Sequence, residues 1–162
     1  MIVNRRVKPV AAAALAALLV AGLGALITDL SPWYYGLRQP AWKPPDLLFG
    51  PAWTLIFSLT ALSGVYAWNG APAGARRRIV WVFALNLGLN MLWSVLFFRL
   101  RRPDWAFAEV TLLWLSIAVL MAMVAPYSKT ASWLLAPYLA WVTFAAALNL
   151  QVVRLNPPFG AA

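Results

Sequence analysis

The chain of 162 residues contains no cysteine, no histidine and only four acidic residues. The first two absences exclude a disulfide framework, a Ser-His-Asp or Cys-His catalytic unit, an ordinary zinc site, and His or Cys ligation of haem iron. No metal site is expected. The four acids, Asp29, Asp46, Asp104 and Glu109, stand against thirteen lysines and arginines, for a net charge of +9. Charge of either sign is scarce: 10% of residues are charged and 64% are hydrophobic, which is not a soluble composition. The basic residues crowd into short stretches between long uncharged runs. A nucleic-acid binder would spread them over one water-exposed face, so no nucleic-acid partner is expected.

What the sequence does have is apolar length. Five uncharged runs, 9–28, 47–75, 79–98, 110–128 and 130–153, are each 19 to 29 residues long. About 20 residues at 1.5 Å rise cover a hydrocarbon core of roughly 30 Å, and a helix satisfies its own backbone there. The expected fold is all-α: a single membrane domain over 1–162, an integral bundle of five transmembrane helices near 9–28, 51–68, 79–98, 104–125 and 130–153. Its partner is the lipid bilayer and its place a bacterial membrane, crossed several times. Asn69-Gly70-Ala71-Pro72-Ala73-Gly74 is turn chemistry and ends the second span near Trp68. Asp104 can cap the fourth span, and Pro103 cannot continue the third. Residues 1–8 and the Ala/Leu stretch behind them also resemble a secretory signal peptide with Arg5, Arg6 and Lys8 as its charged region. That stretch is nevertheless long enough to span and lacks a clear cleavage site, and Ala13, Ala17, Ala21 and Ala25 give it a close-packing face. Seven basic residues on one side of the five spans against six on the other do not choose an orientation.

The connection 29–50 sets the chain apart from a generic bundle. It holds Pro32, Pro40, Pro44 and Pro45 among Trp33, Tyr34, Tyr35 and Trp42. So long a loop of prolines and aromatics is stiff and can fold back as a lid over the bundle; the competing reading is an aromatic belt at the headgroup level. Within the spans, polar and aromatic residues fall on stripes with helical spacing: Trp53, Phe57, Thr60 and Gly64 on the second; Asn86, Asn90, Trp93 and Phe97, with Ser94 beside them, on the third. Trp105, Glu109, Leu112 and Ser116 follow on the fourth, and Tyr138, Trp141, Ala145 and Leu148 on the fifth. Four such faces can enclose a flat aromatic pocket, or they can be interhelical glue and filler. Glu109 is the one carboxylate inside a span and therefore a functional candidate, unless it snorkels or pairs with Arg99, Arg101 or Arg102. Pro137 removes a backbone bond in the fifth span and predicts a kink that widens the bundle at Tyr138.

These residues resemble the tryptophan-rich sensory protein family, which includes the mitochondrial translocator protein, or peripheral benzodiazepine receptor. The resemblance is carried by Pro40-Ala41-Trp42-Lys43-Pro44-Pro45, Phe49-Gly50-Pro51-Ala52-Trp53-Thr54, Leu89-Asn90-Met91-Leu92-Trp93-Ser94-Val95-Leu96-Phe97-Phe98 and Trp105-Ala106-Phe107-Ala108-Glu109. It continues through Pro137-Tyr138-Leu139-Ala140-Trp141, Phe144-Ala145, Leu148-Asn149 and Leu155-Asn156. The resemblance implies a homodimeric five-helix membrane receptor that binds tetrapyrroles such as protoporphyrin or haem, sterols including cholesterol, and benzodiazepine-like drugs. No obligatory cofactor is implied; protoporphyrin or haem is the ligand. The family pocket maps onto Trp53, Asn90, Trp93, Trp105, Tyr138, Trp141 and Ala145, with its acidic position at Glu109. Phe57 and Leu148 complete the expected ligand-binding set from the stripes, and Trp33, Tyr34, Pro40, Trp42, Pro44 and Pro45 form the expected lid. The family's sterol motif wants an aromatic two residues after Leu148, where this chain has Leu150, although Arg154 is present. Three functions are then open. The first is a non-catalytic binding and sensory protein. The second is an enzyme degrading protoporphyrin in light and oxygen, with Trp53 and Trp141 as its oxidisable indoles. The third is a porphyrin transporter, for which no inverted repeat is visible.

Overall fold

The computed structural model describes Gly22, Thr28 and residues 30–159. The chain is an all-α, multi-pass integral membrane protein, and no strand occurs among the described residues. A short helix α1 (Pro32–Gly36) lies in the long connection. A 3-10 turn over Asp46–Leu48 then feeds α2 (Phe49–Gly70), followed by α3 (Ala73–Ser94), a π-helical extension (Val95–Arg99), α4 (Pro103–Val124), α5 (Lys129–Trp133) and α6 (Ala136–Leu155). Among the described residues four segments are long and apolar enough to cross a membrane: Asp46–Gly70, Ala73–Arg99, Pro103–Val124 and Lys129–Leu155. The first expected span, 9–28, lies outside the described residues except for Gly22 and Thr28.

Several boundaries differ from the sequence reading, each for a local reason. Helix α2 continues past Trp68 to Gly70, and only Ala71 and Pro72, both extended, separate it from α3. Proline restricts the residue before it to extended backbone and pre-sets the start of the next helix, so two residues suffice for the turn. Arg76, Arg77 and Arg78 therefore ride on the first turns of α3 rather than on a loop. Asp104 is not the cap of α4. Arg102 holds that position without a side-chain cap bond, Pro103 opens the helix, and Asp104 in the first turn pairs with the Arg102 guanidinium. The fifth expected span is two helices, because Pro137 stands in the first turn of α6 rather than inside a continuous helix, and the chain turns at Leu134 and Leu135 just before it. Ser128 caps α5, its hydroxyl accepting from the Ala131 amide at 3.1 Å.

The core runs along α4, which packs against α3 on one side and α6 on the other, with α5 wedged between α2 and α4. Ala106, Val110, Leu113, Ile117, Leu120 and Val124 face inward at three- and four-residue spacing; Ala106 packs with Phe97 and Val152, and the others meet Ile79, Leu135, Tyr138 and Val142. Where backbones come closest the side chains are small: Ser63 donates to the Ala131 carbonyl at 2.7 Å, and Gly70 lies against the Tyr127 carbonyl. That is how helices associate in lipid, where no hydrophobic force presses one onto another.

Candidate functional site

At the end of the bundle covered by the long connection, the helices separate around a cavity of about 480 Å³. Among the described residues three helical segments wall it: Phe49, Gly50, Trp53, Thr54 and Phe57 from α2; Asn90, Trp93, Ser94, Phe97 and Phe98 from α3 and its π extension; Trp141, Ala145, Leu148, Asn149 and Val152 from α6. The loop supplies Leu30, Tyr34, Gln39 and Asp46.

The rings brace one another. Trp53 stacks on Phe57 with centroids 5.2 Å apart and stands edge-on to Trp141 at 6.3 Å and to Tyr138 at 6.1 Å. On the same cavity's lining Trp93 stacks on Phe97 at 5.1 Å, and its indole N–H donates to Asn149 Oδ1 at 3.2 Å. Asn149 Nδ2 in turn donates to the Pro103 carbonyl at 2.8 Å, which ties α6 to the start of α4 and fixes the Trp93 ring. The π extension matters here. One extra residue in the turn, marked by the Leu100 amide donating to the Val95 carbonyl at 2.9 Å, brings the consecutive Phe97 and Phe98 to the same wall.

The loop is held at three points. Tyr34 Oη donates to Asp46 Oδ1 at 2.9 Å, and Lys43 Nζ donates to the same oxygen at 2.5 Å while lying 5.1 Å from the Tyr34 ring centre. Farther along, the Arg38 amide donates to Asn156 Oδ1 at 2.8 Å and Asn156 Nδ2 donates to the Arg38 carbonyl at 2.9 Å, fastening the loop to the end of α6. Trp33 packs edge-on to Phe97 at 6.1 Å. Burial raises the Tyr34 phenol above its ordinary range. Burial works against the Lys43 ammonium, but its bonds to Asp46 and Tyr34 outweigh that and leave its pKa raised.

Of the expected ligand-binding residues, Trp53, Phe57, Asn90, Trp93, Trp141, Ala145 and Leu148 line this one cavity, and Trp105, Glu109 and Tyr138 do not. Helix α4 contributes nothing to the wall. Trp105 and Leu112 lie on its outer surface, where the Arg102 guanidinium covers the Trp105 ring at 4.2 Å. Glu109 is buried at 5% exposure and neither snorkels nor pairs with Arg99, Arg101 or Arg102. Its carboxyl oxygens have no hydrogen-bond partner among the described residues. Tyr138 sits one layer back, behind Trp53. Of the expected lid residues, Tyr34 alone reaches the cavity wall; Trp33 braces Phe97 from behind, Trp42 packs on Phe144 at 5.7 Å, and Pro40, Pro44 and Pro45 shape the turns above. Phe49, Thr54, Phe98, Gln39, Asp46 and Val152 line the cavity outside the expected set. Phe98 was readable as the aromatic neighbour of Phe97 on the third-span stripe.

Fold and cavity together define a multi-pass helical membrane protein with an aromatic cavity roofed by its first long connection. Residues 11–155 match the TspO/MBR family. The chain is 42% identical to the tryptophan-rich protein TspO of Chlorobaculum tepidum over 128 residues, covering 77% of this chain and 80% of that one. It is 38% identical to the protein of that name from Archaeoglobus fulgidus over 148 residues, 90% of this chain and 95% of that one. With the human translocator protein it shares 36% identity over 128 residues, 76% of this chain and 75% of that one. The chain belongs to the TspO/MBR family.

Proposed function

We propose that the cavity binds a flat, largely apolar macrocycle of the protoporphyrin type. The observation that supports this most is a space of about 480 Å³ lined by the rings of Trp53, Trp93, Phe97 and Trp141, with the Asn90 amide among them. That volume lies within the roughly 300 to 1,000 Å³ of small-molecule pockets, and ring faces with one or two polar groups suit a planar aromatic ligand. With no histidine or cysteine to ligate iron, affinity comes from burial and ring contact, so free-base protoporphyrin is the natural ligand and a sterol the weaker candidate, given Leu150. The loop acts as a lid, bound ligand biases the protein toward a state that a partner reads, and the working unit is a homodimer. The name of the Cereibacter sphaeroides relative, tryptophan-rich sensory protein, accords with that use.

Titration of the purified protein with protoporphyrin and with cholesterol, read by tryptophan fluorescence quenching, tests this. Saturable quenching by protoporphyrin that weakens in Trp53→Ala supports it; no saturable binding in folded, lipid-reconstituted protein sinks it. A second reading, light-driven oxidative degradation of the porphyrin, draws on the two indoles of Trp53 and Trp141 meeting at the wall. Loss of porphyrin absorbance under light, faster with the protein than with Trp53→Phe, would favour the enzyme over the sensor.

A further inference from the structure

The end of the bundle opposite the cavity carries a different kind of surface. Gly70 against the Tyr127 carbonyl, and Ser63 bonded to Ala131, bring the α2–α3 turn and the α4–α5 turn to the same end. The helix starts that follow these two turns carry Arg76, Arg77, Arg78 and Lys129, and no acidic residue lies in either turn or helix start. At the cavity end two cations have acidic partners, Lys43 with Asp46 and Arg102 with Asp104. Arg77, Arg78 and Lys129 are exposed, and Arg76 is held flat over the Trp68 ring at 5.1 Å with its buried Nε lacking a hydrogen-bond partner among the described residues.

Three cations also occupy the start of α3, the positive end of a helix, where they are electrostatically misplaced unless an anion answers them. About one turn farther into the bundle, exposed aromatic rings ring the outer surface: Trp81 on α3 at 64% exposure, Trp133 on α5 at 74%, and Tyr66 on α2. Such rings sit at the headgroup boundary of a bilayer, which puts the four cations at the height of the lipid phosphates. Gly74 at the start of α3 has open space where a side chain would stand, leaving room for a headgroup against the helix end.

We infer that Arg76, Arg77, Arg78 and Lys129 form a docking surface for the phosphate headgroup of an anionic phospholipid, with Trp81 and Trp133 against its glycerol and upper acyl region. Juxtamembrane basic residues attract anionic lipid electrostatically, and the effect fades with ionic strength. The site is independent of what the cavity binds.

The test uses the full chain in phosphatidylcholine vesicles with spin-labelled phosphatidylglycerol or spin-labelled phosphatidylcholine, the relative association constant being read from the motionally restricted lipid. The wild type should prefer phosphatidylglycerol several-fold at low salt and lose the preference as salt rises. The triple variant Arg76→Gln, Arg77→Gln, Arg78→Gln should approach parity, and the corresponding triple lysine variant should keep the preference, which guards against a merely misfolded glutamine variant. Four results overturn the inference: an unchanged preference in the glutamine variant, a lysine variant as indifferent as the glutamine one, equal loss in the cavity-end variant Arg38→Gln, Arg154→Gln, or abolition by millimolar inorganic phosphate at constant ionic strength, which would make it a site for the free ion.

Discussion

The half of the bundle around α5 and the half beneath the loop are made from equally apolar sequence and built on opposite principles. Around α5 the buried side chains are small or slender, and Ala67, Ala131, Leu120, Val124 and Leu135 are fully buried. Beneath the loop, Trp53, Phe57, Trp93, Phe97 and Trp141 lean on one another at 5.1 to 6.3 Å and leave about 480 Å³ unfilled. Small side chains let backbones approach, which is what drives helices together in lipid. Large flat rings braced edge to face cannot fold into the space they enclose. The difference shows that hydrophobicity puts this chain in the membrane, while side-chain shape decides where it closes and where it stays open.

The most severe way to break that contrast is at Gly70. A Cβ there has only the Tyr127 backbone carbonyl to move against. Gly70→Ala should lower stability by about 3 kcal/mol, near the upper end for overpacking, seen as a lower thermal midpoint in detergent. Protoporphyrin affinity of the folded fraction should not change. A midpoint equal to wild type would mean that the packed half yields as readily as the cavity half.

Two buried amides sharpen the contrast by crossing it. Asn149 lies on the cavity wall yet spends both ends of its amide on structure, accepting from Trp93 and donating to the Pro103 carbonyl. Asn149→Leu should cost about 1 to 3 kcal/mol of stability by orphaning those partners. Asn90 also lines the cavity, and Asn90→Leu should lower protoporphyrin affinity with little change in thermal midpoint. The reverse pattern would exchange their roles and make Asn90 the interhelical tie.

A third comparison sets wall tryptophans against a surface one. Trp53→Ala or Trp141→Ala should weaken protoporphyrin binding tenfold or more, about 1.4 kcal/mol. Trp105→Ala removes a ring that faces outward under Arg102 and should leave the affinity as it was. Equal losses at all three positions would point to binding on the bilayer-facing surface instead of inside.

How much of this was legible follows the same division. Run lengths located the four described spans, because a hydrocarbon core sets a minimum length that turns cannot imitate. The stripes on α2, α3 and α6 contain eight wall residues, because Trp53, Phe57, Asn90, Trp93, Phe97 and Trp141 stand out against leucine and alanine and carry Ala145 and Leu148 with them by helical spacing. The α4 stripe failed on its chemistry: Trp105 and Leu112 share the helix's outer side, while the inward line from Ala106 to Val124 is ordinary aliphatic residue among others like it. A helix that is apolar all round has no periodicity that tells protein from lipid. Gly70 looked like the start of a turn because its use is a contact 57 residues away with Tyr127, which no local pattern encodes. The loop's contribution of Gln39 and Asp46 was hidden for the same reason, whereas Tyr34 was expected there as part of the lid.

The smallest expected effect concerns the loop itself, and it asks whether the roof belongs to the open half as a moving part or only as a wall. Pro40, Pro44 and Pro45 limit the conformations the loop surrenders on closing, and Tyr34, Lys43, Asp46 and the Arg38–Asn156 pair hold it down. Replacing the three prolines with Gly and Ser should raise the dissociation rate of bound protoporphyrin a few fold while the association rate changes less, because affinity changes within one site fall mostly on the off-rate. The pH dependence has a definite sign. Tyr34 and Lys43 both have raised values in the folded protein, so what they contribute is complete below their ordinary values of 10.0 and 10.5 and is lost as pH rises through the higher folded-state values. Stopped-flow displacement should therefore show faster release at strongly alkaline pH than near neutrality, and Lys43→Met should be as fast at neutral pH as the wild type is in alkali. An off-rate indifferent to the prolines, to Lys43 and to alkali, in a loop that limited proteolysis shows to be loosened, would leave the connection as a fixed aromatic anchor at the membrane surface.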